Sequence, residues 1–190
     1  MSIQIVLTTI RKELADVKRS LRPWFAEGKD CLAYRPADGG WSALQILEHI
    51  MLTSHFLLLL IDKASLKAVQ RAQRMDVKAD WTKYVLAPAA LDAIGIHKSF
   101  SWIRPRHMEP SGNVSVAEIR ERIDDQFTHC DELLRKLSNG EGTLCHITMT
   151  VNDIGKLDVY QYIYFLALHA RRHLKQLEEN KIEFARTAIQ

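Results

Sequence analysis

The chain is poor in cysteine, carries little net charge and has no long apolar run. Its three cysteines, Cys31, Cys130 and Cys145, form neither an even set nor a closely spaced pair, which excludes a disulfide framework and favours a reducing compartment. The net charge is +3 and the basic residues form no run, so nucleic-acid binding is not expected. The longest apolar run, residues 56–61, ends at Asp62 and is too short for the roughly 18 residues of a membrane span.

The first residues also lack the basic segment and apolar stretch of a signal peptide. Together with the unpaired cysteines, this predicts a cytoplasmic protein with no membrane partner. A chain of 190 residues, 47% of them hydrophobic, is long enough to bury roughly 70% of its unfolded surface. We therefore expect one domain over residues 1–190.

Periodic apolar residues predict four helices. The first covers about residues 3–25, and Pro23 lies near its end. The second begins at Ser42, the third at Ser115 and the fourth at Asp158, each followed three residues later by Glu or Gln, as in a capping box. The residues predicted to face inward on the second and fourth helices are Ile46, Ile50, Thr53, Leu57, Leu60, Tyr162, Phe165, Leu166, His169, His173 and Leu177.

A long segment of mixed character, residues 63–112, separates the second helix from the third. The second helix could extend into this segment as a charged arm through Lys67, Arg71 and Arg74. A connection of this length lets the two helices run parallel, as in helical bundles with a crossover. The expected fold is therefore all-α, a four-helix bundle with a long crossover between helices two and three. Pro88 suits the start of a short helix in the crossover, and residues 144–151 alternate as a short extended segment would.

Three of the eight histidines fall on the inward-facing sides of the helices. His169 and His173, four residues apart, lie above one another on one face of the fourth helix, and His49 lies on the second. His55 lies about 120° around the helix from His49 and cannot share its face. Burying three imidazoles without partners would cost about 1–3 kcal/mol each, whereas a shared divalent cation would satisfy one nitrogen of each. The spacing favours a metal site, with a hydrogen-bonded core cluster as the alternative.

Known metal motifs narrow the chemistry of such a site. The zinc-protease pattern HExxH requires a glutamate where this chain has Ala170. Di-iron bundles need Glu-x-x-His on two helices, and Glu48-His49 does not match. What remains is a mononuclear three-histidine site with open positions, which suits Zn²⁺ or Ni²⁺. A fourth ligand from Cys145 or His146 would close the site and favour a structural role.

Several sequence features occur together over essentially the whole chain. They are Trp41-Ser42 before the second helix, His49 within it, a crossover that contains prolines, and His169-x-x-x-His173 after Gly155 and Asp158. In this combination the chain resembles the DinB/YfiT-like family, most closely at residues 34–55 and 155–178. The resemblance implies a four-helix bundle with a divalent metal held by His49, His169 and His173. The family frequently has an acidic residue where this chain has Ala170.

Characterised members of that family imply thiol chemistry, either transfer of a small thiol such as bacillithiol or mycothiol or a thiol-dependent isomerisation. The resemblance thus implies a metal-dependent thiol transferase whose partners are a small-molecule thiol and an electrophile. Arg104, Arg106 and His107 in the crossover would cover the open coordination position and hold an anionic substrate, unless they form only a solvated loop. The competing class is a non-catalytic metal-binding or stress-response bundle that acts as an interaction module.

The second helix also carries more apolar surface than one bundle interior requires. Residues 57–61 are apolar on nearly every side of the helix. Because a face of this kind is usually covered by another chain, we expect a homodimer.

Overall fold

The computed structural model describes residues 2–77, 79–100 and 105–187. Helices dominate these ranges, which confirms the all-α class. The helices are α1 (Ile3–Leu21), α2 (Lys29–Ala33), α3 (Ala43–Ala72), α4 (Ala89–Asp92), α5 (Val116–Lys136) and α6 (Val159–Thr187). Two short strands, β1 (His146–Met149) and β2 (Gly155–Asp158), precede α6.

The four long helices, α1, α3, α5 and α6, pack against one another. Both α1 and α3 contact α6, and both also contact α5. Apolar side chains fill the interior between them, and the largest that are almost completely buried are Tyr160, Tyr162 and Phe165 of α6. Burial of a large apolar side chain contributes roughly 1.5–3 kcal/mol. The helix that carries His169 and His173 is therefore firmly held in the core.

Reciprocal side-chain caps confirm where α3 and α6 begin. Ser42 Oγ accepts a hydrogen bond from the Gln45 amide (3.3 Å), and Gln45 Oε1 accepts one from the Ser42 amide (3.1 Å). Asp158 and Gln161 make the same pair of bonds at 2.9 and 3.1 Å. Because these bonds satisfy amides that have no partner within the helix, they fix the start of each helix and the position of each histidine along it.

The first helix is shorter than predicted. It ends at Leu21, and Arg22–Ala26 continues as 3₁₀ turns. Pro23 explains the change, because it has no amide hydrogen and its ring clashes with the carbonyl of the residue four positions earlier.

The second predicted helix, α3, extends into the segment of mixed character, as its charged arm predicts, and one inward-facing residue was assigned wrongly. It continues to Ala72 and so includes Lys67 and Arg71 but not Arg74, because the small buried residues Ala64 and Ala68 extend its core face. Leu60 is 44% exposed, whereas Ile61 is completely buried. The buried side follows the 3.6-residue period, and an apolar run offers no contrast to show which residue falls on it.

The starts of helices α4 and α5 are only partly as predicted. Ser115 Oγ accepts a hydrogen bond from the Glu118 amide (3.2 Å), but the Glu118 carboxylate pairs with Arg122 (2.7 Å) rather than returning to the cap. Pro88 precedes α4 as its N-cap instead of occupying the first helical position. The capping interaction at α5 is thus one-sided.

The extended segment predicted at residues 144–151 contains β1. It pairs antiparallel with β2, with His146 opposite Asp158 and Met149 opposite Gly155. The partner strand was not predicted, because a four-residue strand directly before a helix leaves little periodicity to read.

By length and composition, α3 is also apolar enough to cross a membrane. However, 61% of its most apolar 18-residue window is buried within the structure. Neighbouring protein therefore covers most of that window, which is typical of a core helix.

Candidate metal centre

Two packed helices bring three histidines to one point in the interior. His49 lies near the start of α3, while His169 and His173 lie one turn apart on α6. The ring centroids are separated by 5.2 Å for His49–His169, 5.0 Å for His49–His173 and 4.7 Å for His169–His173. The three imidazoles thus form an almost equilateral triangle, and each is buried.

The spacing of their nitrogens fits one divalent ion. One nitrogen from each ring lies within 4.8 Å of the other two, and the Nε2 atoms of His169 and His173 are 3.3 Å apart. In tetrahedral zinc sites with Zn–N bonds of 2.0–2.1 Å, neighbouring nitrogens are separated by about 3.3 Å. Among the described residues, no other group of histidine, cysteine or acidic side chains meets the same criterion.

The environment of His49 determines which of its nitrogens is available. Its Nδ1 lies 2.8 Å from the carbonyl oxygen of Met108. A carbonyl only accepts hydrogen bonds, so Nδ1 carries the hydrogen and Nε2 keeps its lone pair. Metal-binding histidines typically have such a partner, which fixes the tautomer and the ring orientation. His173 Nδ1 contacts Gln176 Oε1 (3.0 Å), but an amide offers both donor and acceptor, so this contact alone does not fix the tautomer.

Burial keeps the α6 histidines neutral. It lowers the pKa of His169 well below its usual value, and the neighbouring His173, His49 and Arg172 act in the same direction. Burial likewise lowers the pKa of His173, with His49 adding to the effect. Neutral imidazole is the form that binds a metal. The two α6 histidines can therefore bind a cation at neutral pH without first losing protons.

Aromatic side chains line the centre, with one cation beside it. The Trp41 ring lies 4.7 Å from that of His49, and the Phe165 ring is nearly parallel to the first α6 histidine at 6.5 Å. Arg172 is buried, and its guanidinium carbon lies 5.5 Å from the centre of the Phe100 ring. Apolar walls exclude water and strengthen electrostatic interactions inside them. The buried arginine therefore adds a positive charge close to the α6 histidines.

A buried carboxylate beside His49 was not predicted as part of the site. Glu48 accepts hydrogen bonds from the Ser111 amide (3.0 Å), the Ser111 hydroxyl (2.8 Å) and the Gly112 amide (2.6 Å). These bonds fasten the loop of residues 105–112 to α3. The sequence did hold a signal, because a charged residue within an apolar stretch of a core helix must be buried with partners.

Two of the three crossover residues predicted to hold a substrate lie in this loop. Arg104 lies outside the described residues. Arg106 and His107 share a 3₁₀ turn with Met108, and both are exposed. The His107 ring packs at 4.4 Å against Phe56. Both residues thus lie next to the part of the loop that contacts His49, and their role toward a substrate stays a prediction.

Neither residue considered as a fourth ligand joins the histidines. His146 pairs with Asp158 in the hairpin, and the 11 residues from Asp158 to His169 span about 16 Å along the helix axis. Cys145 is buried next to His146. Within the described ranges, the group contains only the three histidines.

By fold and site, this is a helical protein with a candidate three-histidine metal centre. The DinB superfamily model matches residues 9–177, and the chain belongs to that family. The matched range includes all three histidines and the loop that contacts His49. No curated protein and no solved structure matches the chain significantly.

Proposed function

We propose that this protein is a metal-dependent enzyme that transfers a low-molecular-weight thiol to an electrophilic substrate. His49, His169 and His173 would hold the divalent ion, zinc or nickel. The observation that carries the proposal is the convergence of three buried imidazoles without a fourth protein ligand among the described residues. Three histidines leave a coordination position for an exogenous ligand, as in catalytic zinc sites.

When bound, a divalent ion supplies the positive charge that lowers the pKa of a coordinated thiol toward neutrality. In the overall reaction the thiol loses its proton, its sulfur forms a bond to carbon, and the leaving group departs with the electrons of the broken bond. The chain's own residues orient the reactants: the aromatic ring of Trp41 excludes water, and the charge of Arg172 favours an anionic thiol or substrate.

The cysteines of the chain support an external thiol rather than a protein nucleophile. Burial raises the pKa of Cys130 to about 12 and raises that of Cys31 as well. All three cysteines are buried. A buried thiol of raised pKa supplies almost no thiolate at neutral pH.

The experiment combines a panel of small thiols with a chloronitroaromatic electrophile and follows the thioether by its absorbance. We expect turnover with metal-loaded protein and none after chelation. A variant with alanine at all three cysteines should retain the activity, since the nucleophile comes from solution. Equal rates with and without metal would contradict the mechanism.

The competing proposal is a non-catalytic metal-binding bundle that acts in a stress response or as an interaction module. The observation in its favour is that the three histidines are only 3–8% exposed, as in a sequestered structural site. Cobalt substitution separates the two functions. A thiol that reaches the ion adds a sulfur-to-cobalt charge-transfer band, and an unchanged spectrum at saturating thiol would favour the non-catalytic protein.

Our proposal also covers the architecture and assembly. The contacts among the four long helices support a four-helix bundle in a single domain, and the reduced cysteines support a cytoplasmic location. Leu59, Leu60 and Leu66 expose apolar surface on the outside of α3. Association of two copies through this face would cover it.

A further inference from the structure

The loop of residues 105–112 contacts α3 at two consecutive residues. The carbonyl of Met108 accepts the hydrogen bond from His49. Ser111 and Gly112 donate three hydrogen bonds to the Glu48 carboxylate. Because the two contact points are only three residues apart in the loop, fixing one of them restricts the position of the other.

The three hydrogen bonds stabilise the Glu48 carboxylate in the protein interior. The side chain is 2% exposed, and no ion pair reaches it among the described residues. A buried carboxylate without a cation requires donors that replace its hydration. Gly112 provides one of them at a φ of +77°, a conformation that favours glycine. The conformation of the loop therefore directs its donors at this carboxylate.

We propose that Glu48 is a positioning residue of the metal centre. By holding Ser111 and Gly112 it keeps the Met108 carbonyl against His49, so that the Nε2 atom of this histidine faces the other two rings. The inference rests on the metal centre proposed above. Glu48 itself does not belong to the group that could ligate the ion, so it acts only through the loop.

The physical reason is that an imidazole has two nitrogens of similar basicity. Without an acceptor at Nδ1, His49 would distribute its hydrogen between both nitrogens and its ring would be free to turn. Partners of this kind typically contribute 10–100-fold to metal affinity. Loss of the Glu48 hydrogen bonds should therefore weaken metal binding while leaving all three ligands in the chain.

The test compares the zinc affinity of three variants with that of the wild-type protein, using a chromophoric chelator as competitor. Glu48→Gln keeps the size of the side chain but turns an N–H donor toward the Gly112 or Ser111 amide, and we expect 10–100-fold weaker binding. Ser111→Ala removes one of the three hydrogen bonds and should give a smaller loss. Glu109→Gln is the matched control, because it makes the same change at an exposed position of the same loop, and should bind as wild type.

A second measurement reads the tautomer directly. Long-range ¹H–¹⁵N spectra of metal-free protein should show His49 with its hydrogen on Nδ1 in the wild type and on both nitrogens in Glu48→Gln. If Glu48→Gln fails to fold, the zinc affinity and the His49 tautomer of Ser111→Ala provide the test. Wild-type affinity, or weaker binding with an unchanged His49 tautomer, would overturn the positioning role. If the wild-type protein binds neither zinc nor nickel, the proposed metal centre fails, and the tautomer of His49 still tests the contact between the loop and α3.

Discussion

Asp158, which caps the helix carrying two of the three site histidines, provides a quantitative test of the structure. Its carboxylate is almost completely buried, and this burial raises its pKa to about 6. A hydrogen bond from the Gln161 amide opposes the shift in part. At neutral pH the protein therefore holds a buried charge next to the start of α6.

The free-energy cost follows from linkage. An aspartate whose folded pKa lies above its unfolded pKa binds its proton more tightly in the folded state. Its contribution to stability is fully present below about pH 3.9 and is lost as the pH rises through about 6. Each pKa unit corresponds to about 1.4 kcal/mol, so the difference of roughly two units corresponds to about 3 kcal/mol.

The substitution Asp158→Asn removes the charge and keeps an oxygen that can accept the hydrogen bond from Gln161. We expect the variant to be about 3 kcal/mol more stable than wild type at pH 7.5 and equally stable at pH 4. Urea unfolding of metal-free protein at the two pH values measures the difference. Asp125→Asn, at an exposed position on α5, is the control and should show no such pH dependence. If Asp158→Asn is destabilised equally at both pH values, burial of the charge is not what sets this carboxylate's pKa.

Three further predictions concern the metal centre and the assembly. His49→Ala and His169→Ala should each lose the bound metal in elemental analysis, whereas His55→Ala on the exposed side of α3 should keep it; equal metal content in all three would contradict the ligand assignment. In metal-free protein the pKa values of His169 and His173 are lower in the folded state than in the unfolded state. As the pH falls, these histidines therefore bind protons in the unfolded chain before they do so in the folded one. In the Asp158→Asn variant, which lacks the opposing contribution of that carboxylate, stability should fall below about pH 6.5 with a slope that approaches about 1.4 kcal/mol per pH unit for each histidine, and a flat urea profile down to pH 5.5 would refute this. Sedimentation should show a dimer that Leu66→Glu dissociates, and a wild-type protein found only at 21.8 kDa would argue against that interface.

Features encoded locally could be predicted from the sequence. Ser42 and Asp158 begin their helices with partners three residues away, so the starts of α3 and α6 followed from short motifs. Given those starts, the helical period placed the histidines on inward faces. The bond from His49 to Met108 could not be predicted, because a backbone carbonyl leaves no side-chain signal. The contact of Glu48 with Ser111 joins residues 63 positions apart, and only the packed loop brings them together.

The errors have a related cause. Periodicity identifies a face only where polar residues contrast with apolar ones. Leu60 and Ile61 lie in a run that is apolar throughout, so the pattern was equally compatible with either residue facing inward. The exposure of Leu60 shows that the surplus of apolar residues lies on the outside of α3, where the proposed dimer would cover it.

The packing of the helices around the three histidines is relevant to the role that a metal ion would have there. The core of the protein is formed by apolar side chains such as Tyr160, Tyr162 and Phe165, which are almost completely buried between the helices. Small zinc domains, by contrast, fold only when metal binds. Here the packed helices bring two histidines of α6 and one of α3 together, and the Met108 carbonyl accepts a hydrogen bond from His49. A core of this size gives the chain a source of stability other than an ion, and three histidine ligands would leave the open coordination position that the proposed transferase requires.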